Sequence, residues 1–160
     1  MDILVDGTLD YPDRLLATFD FVIAAVHSRF TMTRTAMTTR IIVAMRNPYV
    51  TMLAHPTGRL LLSRAAYEVD MTKVIAEAAR LGVFLEINAN PHRLDLDWRL
   101  CKTAKEKGAR FAINPDAHRI EGLRDVRYGV GIARKGWLEP ADILNTRPLD
   151  EALALMKARR

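Results

Sequence analysis

Four apolar runs, each closed by a polar residue, decide the fold: FVIAAVH at residues 21–27, VTMLAH at 50–55, VFLEIN at 83–88 and RFAINPDAH at 110–118. A short apolar run with a sharp polar break is typical of a buried parallel strand. Helical patterns separate the runs, so strands and helices alternate along the chain. The carboxyl ends of such strands meet at one face, where active sites lie. The sequence therefore predicts an α/β fold built around one polar site.

The remaining pattern completes a single predicted domain over residues 1–160, with about five parallel strands. The strands are predicted at residues 2–5, 21–26, 50–54, 83–87 and 110–113. Capping residues and breakers place the longer helices between them. These helices are predicted from Thr31 or Thr33 to about Arg46, from Asp70 to Leu81 before Gly82, from Asp95 to Lys107, from Leu123 to Arg134, and from Leu149 to Arg159. An α/β barrel and an open parallel sheet both fit this order.

Composition excludes several classes of protein. The chain is 49% hydrophobic, but none of its apolar stretches approaches the length of a bilayer span. The single cysteine, Cys101, excludes an intrachain disulfide and fits a reducing cytoplasm. The net charge of +5 permits a polyanionic partner such as DNA, but basic residues are spread along the chain. A basic group at Lys157, Arg159 and Arg160 is typical of a solvated helix end.

Three histidines and an aspartate at the strand ends are the best candidates for chemistry. His27 and His55 occupy equivalent places after successive strands, so they can share zinc, manganese or iron. Asp116 and His118 alternate in an extended loop, so both side chains can serve the same site. A hydrogen-bonded structural histidine and an Asx turn are the alternatives for these positions. The three histidines taken together favour a metal site.

Other polar residues near the strand ends suggest a phosphate site. Arg59 follows a glycine turn and matches phosphate oxygens, although a surface arginine is the simpler interpretation. Ser28 and Asn88 are predicted to contact the same phosphate. Glu86 could be a ligand, a general base or, like Asn90, a residue that orients the ligands. With no glycine-rich nucleotide loop and no serine nucleophile motif, hydrolysis by metal-activated water is the simplest chemistry.

These residues, in this order, resemble the PHP family of polymerase and histidinol phosphatase domains. The likeness is greatest to the PHP domain of bacterial family X DNA polymerases and covers essentially the whole chain. It is carried by DIL at residues 2–4, LDYP at 9–12, AVHS at 25–28, HPTGRLL at 55–61, EINANP at 86–91, RLDL at 93–96, DAH at 116–118, RYGVG at 127–131, GWLEP at 136–140 and NTRPL at 145–149.

The resemblance implies the C-terminal portion of a distorted (β/α)7 PHP barrel that binds up to three divalent ions, zinc or manganese and possibly iron or magnesium. His27 and His55 would bind one ion, Asp116 a second and His118 a third. Asp116 and His118 would also be the catalytic residues. The implied function is phosphoester hydrolysis, in the polymerases associated with 3′-5′ exonuclease and end-processing activity on DNA.

The departures from the family pattern concern the first half of the barrel. The His-x-His motif and further ligands of the family are missing, and the position of the bridging glutamate falls just before Met1. The missing ligands argue against catalysis by this chain alone. Unpaired strand edges predict a homo-oligomer, or a partner that supplies the N-terminal half or the polymerase domain. An inactive binding or structural remnant and a small-molecule phosphatase of the histidinol phosphatase type are the alternatives.

Overall fold

Four parallel strands form one sheet in the computed structural model, which describes residues 1–157. The order across the sheet is the order along the chain: β1 (Val22–Ala24), β2 (Val50–Leu53), β3 (Phe84–Asn88) and β4 (Arg110–Asn114). Each strand is followed by helical structure, as in a parallel α/β unit. The predicted α/β class is confirmed, and the alternation is consistent with part of a (β/α) barrel.

The strand predicted at residues 2–5 is not a full strand. Asp2 makes only an isolated parallel bridge to Ala25, and Ile3 makes an antiparallel bridge to Leu9. The chain turns back at once, because the backbone N–H of Gly7 donates to the carbonyl of Leu4 over 2.9 Å. Gly7 lies at a φ of +89°, a conformation that glycine adopts without strain. The tight turn therefore leaves too few residues for a fifth strand.

In the described part of the chain, six α-helices accompany the sheet: α1 (Asp13–Leu16), α2 (Arg34–Arg46), α3 (Met71–Leu81), α4 (Trp98–Glu106), α5 (Val126–Lys135) and α6 (Leu149–Lys157). Thr33 caps α2 through its hydroxyl, and Gly82 ends α3 at a φ of +69°. The predicted start of α4 at Asp95 is three residues early, because Asp97 caps that helix. A 3-10 helix precedes α5, and the predicted helix end at Arg159 lies outside the described residues.

The two faces of the sheet bury different apolar clusters. One face packs against the helix layer, with β-strand residues such as Leu53 and Leu85 beside Ile41 and Val74. The opposite face carries a smaller cluster of Met52, Phe84 and Ala112 with Leu144 and Met156, the last of these from α6. Burial on both faces explains why the strands read as continuous apolar runs. Within residues 1–157, no helix is long and apolar enough to cross a bilayer.

Both outer strands are partly covered by the same chain. Beside β1, the amino group of Met1 donates to the carbonyl of Ile23 over 2.8 Å. Beside β4, Asn145 imitates a neighbouring strand: its carbonyl oxygen accepts from the N–H of Ile113 at 2.7 Å, and its amide donates to the Ile113 carbonyl at 3.0 Å. These contacts reduce the exposure of unpaired backbone that a parallel sheet leaves at its edges.

A buried arginine fixes the first residues of the chain against α2. Arg40 is 1% exposed, and its guanidinium donates to the carbonyls of Ile3, Leu4 and Ser28. Burial lowers the pKa of this side chain. A buried charge is tolerated only where its donors are satisfied, so the arginine and the folded-back chain depend on each other. Sequence patterns miss this residue because an arginine on a helix is normally exposed.

We expect Arg40→Met to lower the free energy of unfolding by about 3 kcal/mol or more, because one buried and two part-buried carbonyls lose their guanidinium donor. Chemical denaturation monitored by circular dichroism measures the loss. Arg34→Met, an exposed position on the same helix, is the matched control and should change stability by about 0.5 kcal/mol or less. Equal effects of the two substitutions would contradict the role of Arg40.

Candidate functional site

Polar side chains from successive strands meet at the carboxyl end of the sheet. The rings of His27 and His55 lie edge to face, with centroids 5.2 Å apart and planes at 71°. Glu86 and Asn88 come from the end of β3, and Asp116 follows β4. The structure places four of the residues predicted from the strand ends in one region. The ring of His55 contacts the ring of His27, the backbone N–H of His55 donates to Glu86, and the amide of Asn88 donates to both Glu86 and Asp116.

The imidazole of His55 is buried and has an unused nitrogen. The residue is 5% exposed, and its Nδ1 has no hydrogen-bond partner among the described residues. Burial, followed by the charges of Arg93 and His27, lowers the pKa of His55 to about 4. The ring is therefore neutral at physiological pH and keeps a lone pair for a ligand. Its backbone φ of +30° is strained for a residue with a side chain, as is common at functional sites.

Asp2 orients the more exposed histidine of the pair. Its Oδ1 accepts from the backbone N–H of His27 at 3.3 Å and lies 3.5 Å from Nδ1 of the same residue. A carboxylate on one ring nitrogen fixes the imidazole and leaves the other nitrogen for a ligand. The sequence did not predict this role of Asp2, because its contact with His27 joins the start of the chain to the end of β1.

Glu86 is a hydrogen-bond hub that ties three strand ends together. One carboxylate oxygen accepts from the backbone N–H of His55 at 2.7 Å and from the amide of Asn88 at 3.1 Å. The other accepts from the amide of Asn114 at 3.0 Å. Burial raises the pKa of Glu86, although these three donors oppose the shift. Its oxygens are used within the protein, so Glu86 acts by holding His55 and its neighbours in place.

A cleft beside the hub contains Asp116 and a second arginine. Arg93 Nε lies 3.2 Å from the Asp116 carboxylate. The Nη1 atom of Arg93 is buried and has no partner within residues 1–157. His118 Nδ1 lies 2.8 Å from the carbonyl of Asp116. The backbone φ of Asp116 is +53°. The cleft has a volume of about 410 Å³ and is lined by Leu60, Leu61, Ser63, Asn90, His92, Arg93, Asp116 and His118.

Of the three residues predicted to bind phosphate, Arg59 and Asn88 make hydrogen bonds within the protein, and Ser28 is exposed. All three guanidinium nitrogens of Arg59 donate within the chain, to Asp97 at 2.7 Å and to the carbonyls of Arg93 and Leu94. Each guanidinium nitrogen of Arg59 therefore already has a partner within the protein, and its contact with phosphate stays a prediction. Ser28 is exposed next to His27. The amide of Asn88 is used by Glu86 and, at 3.2 Å, by Asp116.

Asn90 and His92 also line the cleft. Asn90 accepts from the N–H of His92 and shapes the turn that carries Arg93 into the cleft. His92 is exposed and borders the cleft. Arg93 was not singled out from the sequence, because an arginine after an Asn-Pro turn is usually a surface residue. The turn at residues 90–91 was the available signal, since it brings the following residues back to the strand ends.

Asp95 is fully buried and holds the turn after His55. Its Oδ2 accepts from the backbone N–H groups of Thr57 and Gly58 at 2.9 and 3.0 Å. Its Oδ1 has no partner among the described atoms. Burial raises the pKa of Asp95 to about 6, because the two N–H donors and Arg59 only partly compensate for lost hydration.

The described residues fit part of a metal site. His27 and His55 suit a shared divalent ion, because the two rings are in edge contact, Asp2 lies beside one ring nitrogen of His27, and the buried Nδ1 of His55 has no partner among the described residues. No group of three or more His, Cys, Asp or Glu side chains with metal-binding geometry occurs in residues 1–157. Catalytic zinc sites use three protein ligands. As a metal site, the pair would supply two ligands, and at least one more would have to come from elsewhere.

We expect Asp95→Asn to remove a pH dependence of stability. The raised pKa means that the native state binds more protons than the unfolded state between about pH 4 and 6, so the contribution of Asp95 falls by about 3 kcal/mol as pH rises through this window. Melting temperatures between pH 4 and 7 should decline less steeply in the variant than in the parent. Parallel curves would contradict the assignment.

Glu86→Gln should lower the free energy of unfolding by about 1–3 kcal/mol, because an amide nitrogen would face a donor in the buried network. It should also broaden the NMR signals of the His55 ring by loosening its backbone. Glu68→Gln, at an exposed position, is the control. Unchanged stability and an unchanged His55 spectrum would show that Glu86 does not hold the strand ends.

Comparison with curated proteins finds relatives of two kinds. The chain is 47% identical over 157 residues to the DNA polymerase/3'-5' exonuclease PolX of Bacillus subtilis. This alignment covers 98% of this chain and 28% of the relative. It is 32% identical over 122 residues to a probable phosphatase of Thermoanaerobacter sp. (strain X514), covering 71% of this chain and 47% of the relative. A probable phosphatase of Caldanaerobacter subterraneus is also 32% identical, with 46% of its length covered.

The chain spans less than half the length of these curated relatives. No model of a known protein family matches it. The similarity to PolX nevertheless extends over nearly the whole chain and includes the strand ends described above. With its parallel α/β sheet and its strand-end motifs, the chain belongs to the PHP family.

Proposed function

We propose that this chain is the C-terminal part of a metal-dependent phosphoesterase domain that hydrolyses phosphoester bonds such as those at DNA 3′ ends. The observation that carries the proposal is the pair of His27 and His55, with ring centroids 5.2 Å apart at adjacent strand ends. The neutral His55 ring, with its unpartnered Nδ1, supports a ligand role. Divalent ions held there would supply a Lewis acid and an activated water.

The cleft supplies groups for a phosphate next to the histidine pair. Arg93 borders the cleft and has a buried Nη1 with no partner among the described residues, and guanidinium groups bind phosphate oxygens well. Asp116 is held by Arg93 and Asn88, so its carboxylate is oriented before any ligand arrives. His118 is exposed at the cleft wall, where it can exchange a proton with a leaving oxygen.

The choice of substrate follows from the relatives and from access to the cleft. One relative is named a polymerase and 3'-5' exonuclease, and others are named probable phosphatases. The exposed residues His92 and His118 border the cleft, so the end of a polynucleotide can reach it without entering the core. We favour a DNA end, because the likeness to PolX covers more of the chain. A small phosphomonoester is the second candidate.

Because His27 and His55 alone do not complete a metal site, further ligands would have to come from outside the described residues. The two histidines lack a third His, Cys, Asp or Glu side chain in the described part of the chain. We propose that the remaining ligands come from the rest of a longer protein, from a separate polypeptide or from a second copy of this chain in the cytoplasm. Without them the chain would be an inactive binding or structural remnant, and metal analysis separates the two outcomes.

His55→Ala should raise the dissociation constant for Zn²⁺ or Mn²⁺ by about 10-fold or more, because one of the two paired ligands is lost. Isothermal titration and metal analysis of the purified chain measure this. His92→Ala is the matched control, since His92 borders the cleft and is not part of the pair; metal affinity should be unchanged.

Activity assays separate the three hypotheses. The chain, alone and mixed with a polypeptide that carries the missing family ligands, is assayed on a 3′-labelled oligonucleotide and on p-nitrophenyl phosphate. Preference for the oligonucleotide supports a DNA end-processing domain, and preference for the monoester supports a small-molecule phosphatase. Absence of both metal binding and turnover in every mixture would contradict the phosphoesterase proposal.

A further inference from the structure

The two tryptophans of the chain lie near each other on the helix layer, outside the cleft. Trp98 begins α4, and Trp137 follows the end of α5. Trp137 is 72% exposed, which is unusual for so large an apolar side chain. The phosphoesterase proposal uses neither residue.

Basic side chains surround both indole rings. Lys135 Nζ lies 4.6 Å from the centre of the Trp98 ring, and the Arg99 guanidinium lies 5.2 Å from it. Lys102 Nζ lies 5.7 Å from the centre of the Trp137 ring. We call Trp98, Lys102, Lys135 and Trp137 the indole patch. Cations at these distances are attracted to the ring faces, so charges and rings form one surface.

Close packing holds the indole patch in shape. Gly136 separates Lys135 from Trp137, and a Cβ added there would lie 2.5 Å from the Cβ of Cys101 and 3.1 Å from the carbonyl oxygen of Trp98. The end of α5 and the start of α4 therefore touch. Trp137 adopts a φ of +64°, a conformation that costs energy for a residue with a side chain. The backbone of Trp137 therefore points its indole outward at the junction of α4 and α5, where the ring is exposed.

The charge that the patch presents to solvent is positive. Arg99 is paired with Asp97 at 2.9 Å, and Lys105 is paired with Glu139 and Asp142. Lys102 and Lys135 are exposed and make no ion pair within residues 1–157. Asp97 is compensated by Arg59 and Arg99, whereas Glu139 and Asp142 share the single positive charge of Lys105. The two lysines have no carboxylate partner among the described residues and are available to an anion.

A partner for this surface needs both negative charge and flat aromatic groups. Single-stranded nucleic acid has both, since its phosphates bind lysine and its bases stack on exposed aromatic rings. Duplex DNA hides its base faces, and an acidic peptide lacks the regular aromatic groups. We propose that the indole patch binds single-stranded nucleic acid, with a base stacked on Trp137 and phosphates on Lys102 and Lys135. This goes beyond hydrolysis in the cleft, which does not need the patch.

Intrinsic fluorescence tests the stacking, because both tryptophans of the chain lie in the patch. A dT12 oligonucleotide should quench the tryptophan fluorescence and bind in fluorescence anisotropy. Trp137→Ala should weaken binding of dT12 by about fivefold or more. An abasic strand of the same length should bind more weakly to the parent chain and equally to parent and variant, because it carries the phosphates without the bases. Circular dichroism confirms that the variant is folded.

Charge removal tests the phosphate contacts separately. Lys102→Ala with Lys135→Ala should reduce the slope of log affinity against log salt by roughly 1.4, about 0.7 for each phosphate contact to a single strand. Arg14→Ala with Arg34→Ala, on α1 and α2, is the control with the same change of net charge and should leave the slope unchanged. A slope equally reduced by both pairs would show non-specific attraction only and overturn the proposal.

The patch and the cleft are distinguished by removal of divalent ions and by a patch variant. EDTA should leave dT12 binding in place, and Trp137→Ala should leave the affinity for Zn²⁺ unchanged, so failure of the metal site and failure of the patch are separate results. Binding of dT12 that is unchanged by Trp137→Ala, or undetectable in the parent chain at low salt, would overturn the inference. In the second case, quenching or shielding of Trp137 by another polypeptide would assign the patch to a protein interface.

Discussion

The arrangement of the candidate site depends on one buried carboxylate. Glu86 accepts hydrogen bonds from His55, Asn88 and Asn114, which follow or belong to three neighbouring strands. Its burial is costly, and the three donors offset that cost only when the strands are in register. The position of His55 therefore depends on the register of β2, β3 and β4. The cleft of Arg93 and Asp116 is built on the same network, through Asn88.

Much of the fold could be predicted because it follows from local chemistry. Apolar runs with polar breaks became β1 to β4, and the caps Thr33, Asp70 and Gly82 set helix ends where the pattern placed them. The errors came from contacts between distant segments. Residues 2–5 fold back around Gly7 against α2, and no local signal reports the burial of Arg40 that holds them there.

The candidate site could be predicted in outline, because parallel strands bring their carboxyl ends together whatever the details. Side-chain partners could not be predicted in the same way. Arg59 looked available for phosphate, but Asp97 and two carbonyls use its donors. Arg93 had no predicted role of its own, but the turn after Asn90 carries it to Asp116. Such choices depend on which polar atoms remain unpaired after folding, and that is a tertiary property.

We propose that His27 and His55 form two ligands of one metal site at the strand ends. A crystal of the chain soaked with zinc and measured at the zinc absorption edge would locate the bound ion. We expect an anomalous peak about 2.0–2.1 Å from a nitrogen of each imidazole, with Arg93 and Asp116 in the neighbouring cleft. A peak at other side chains, or unbound histidines at saturating zinc, would show that the two histidines do not form a metal site.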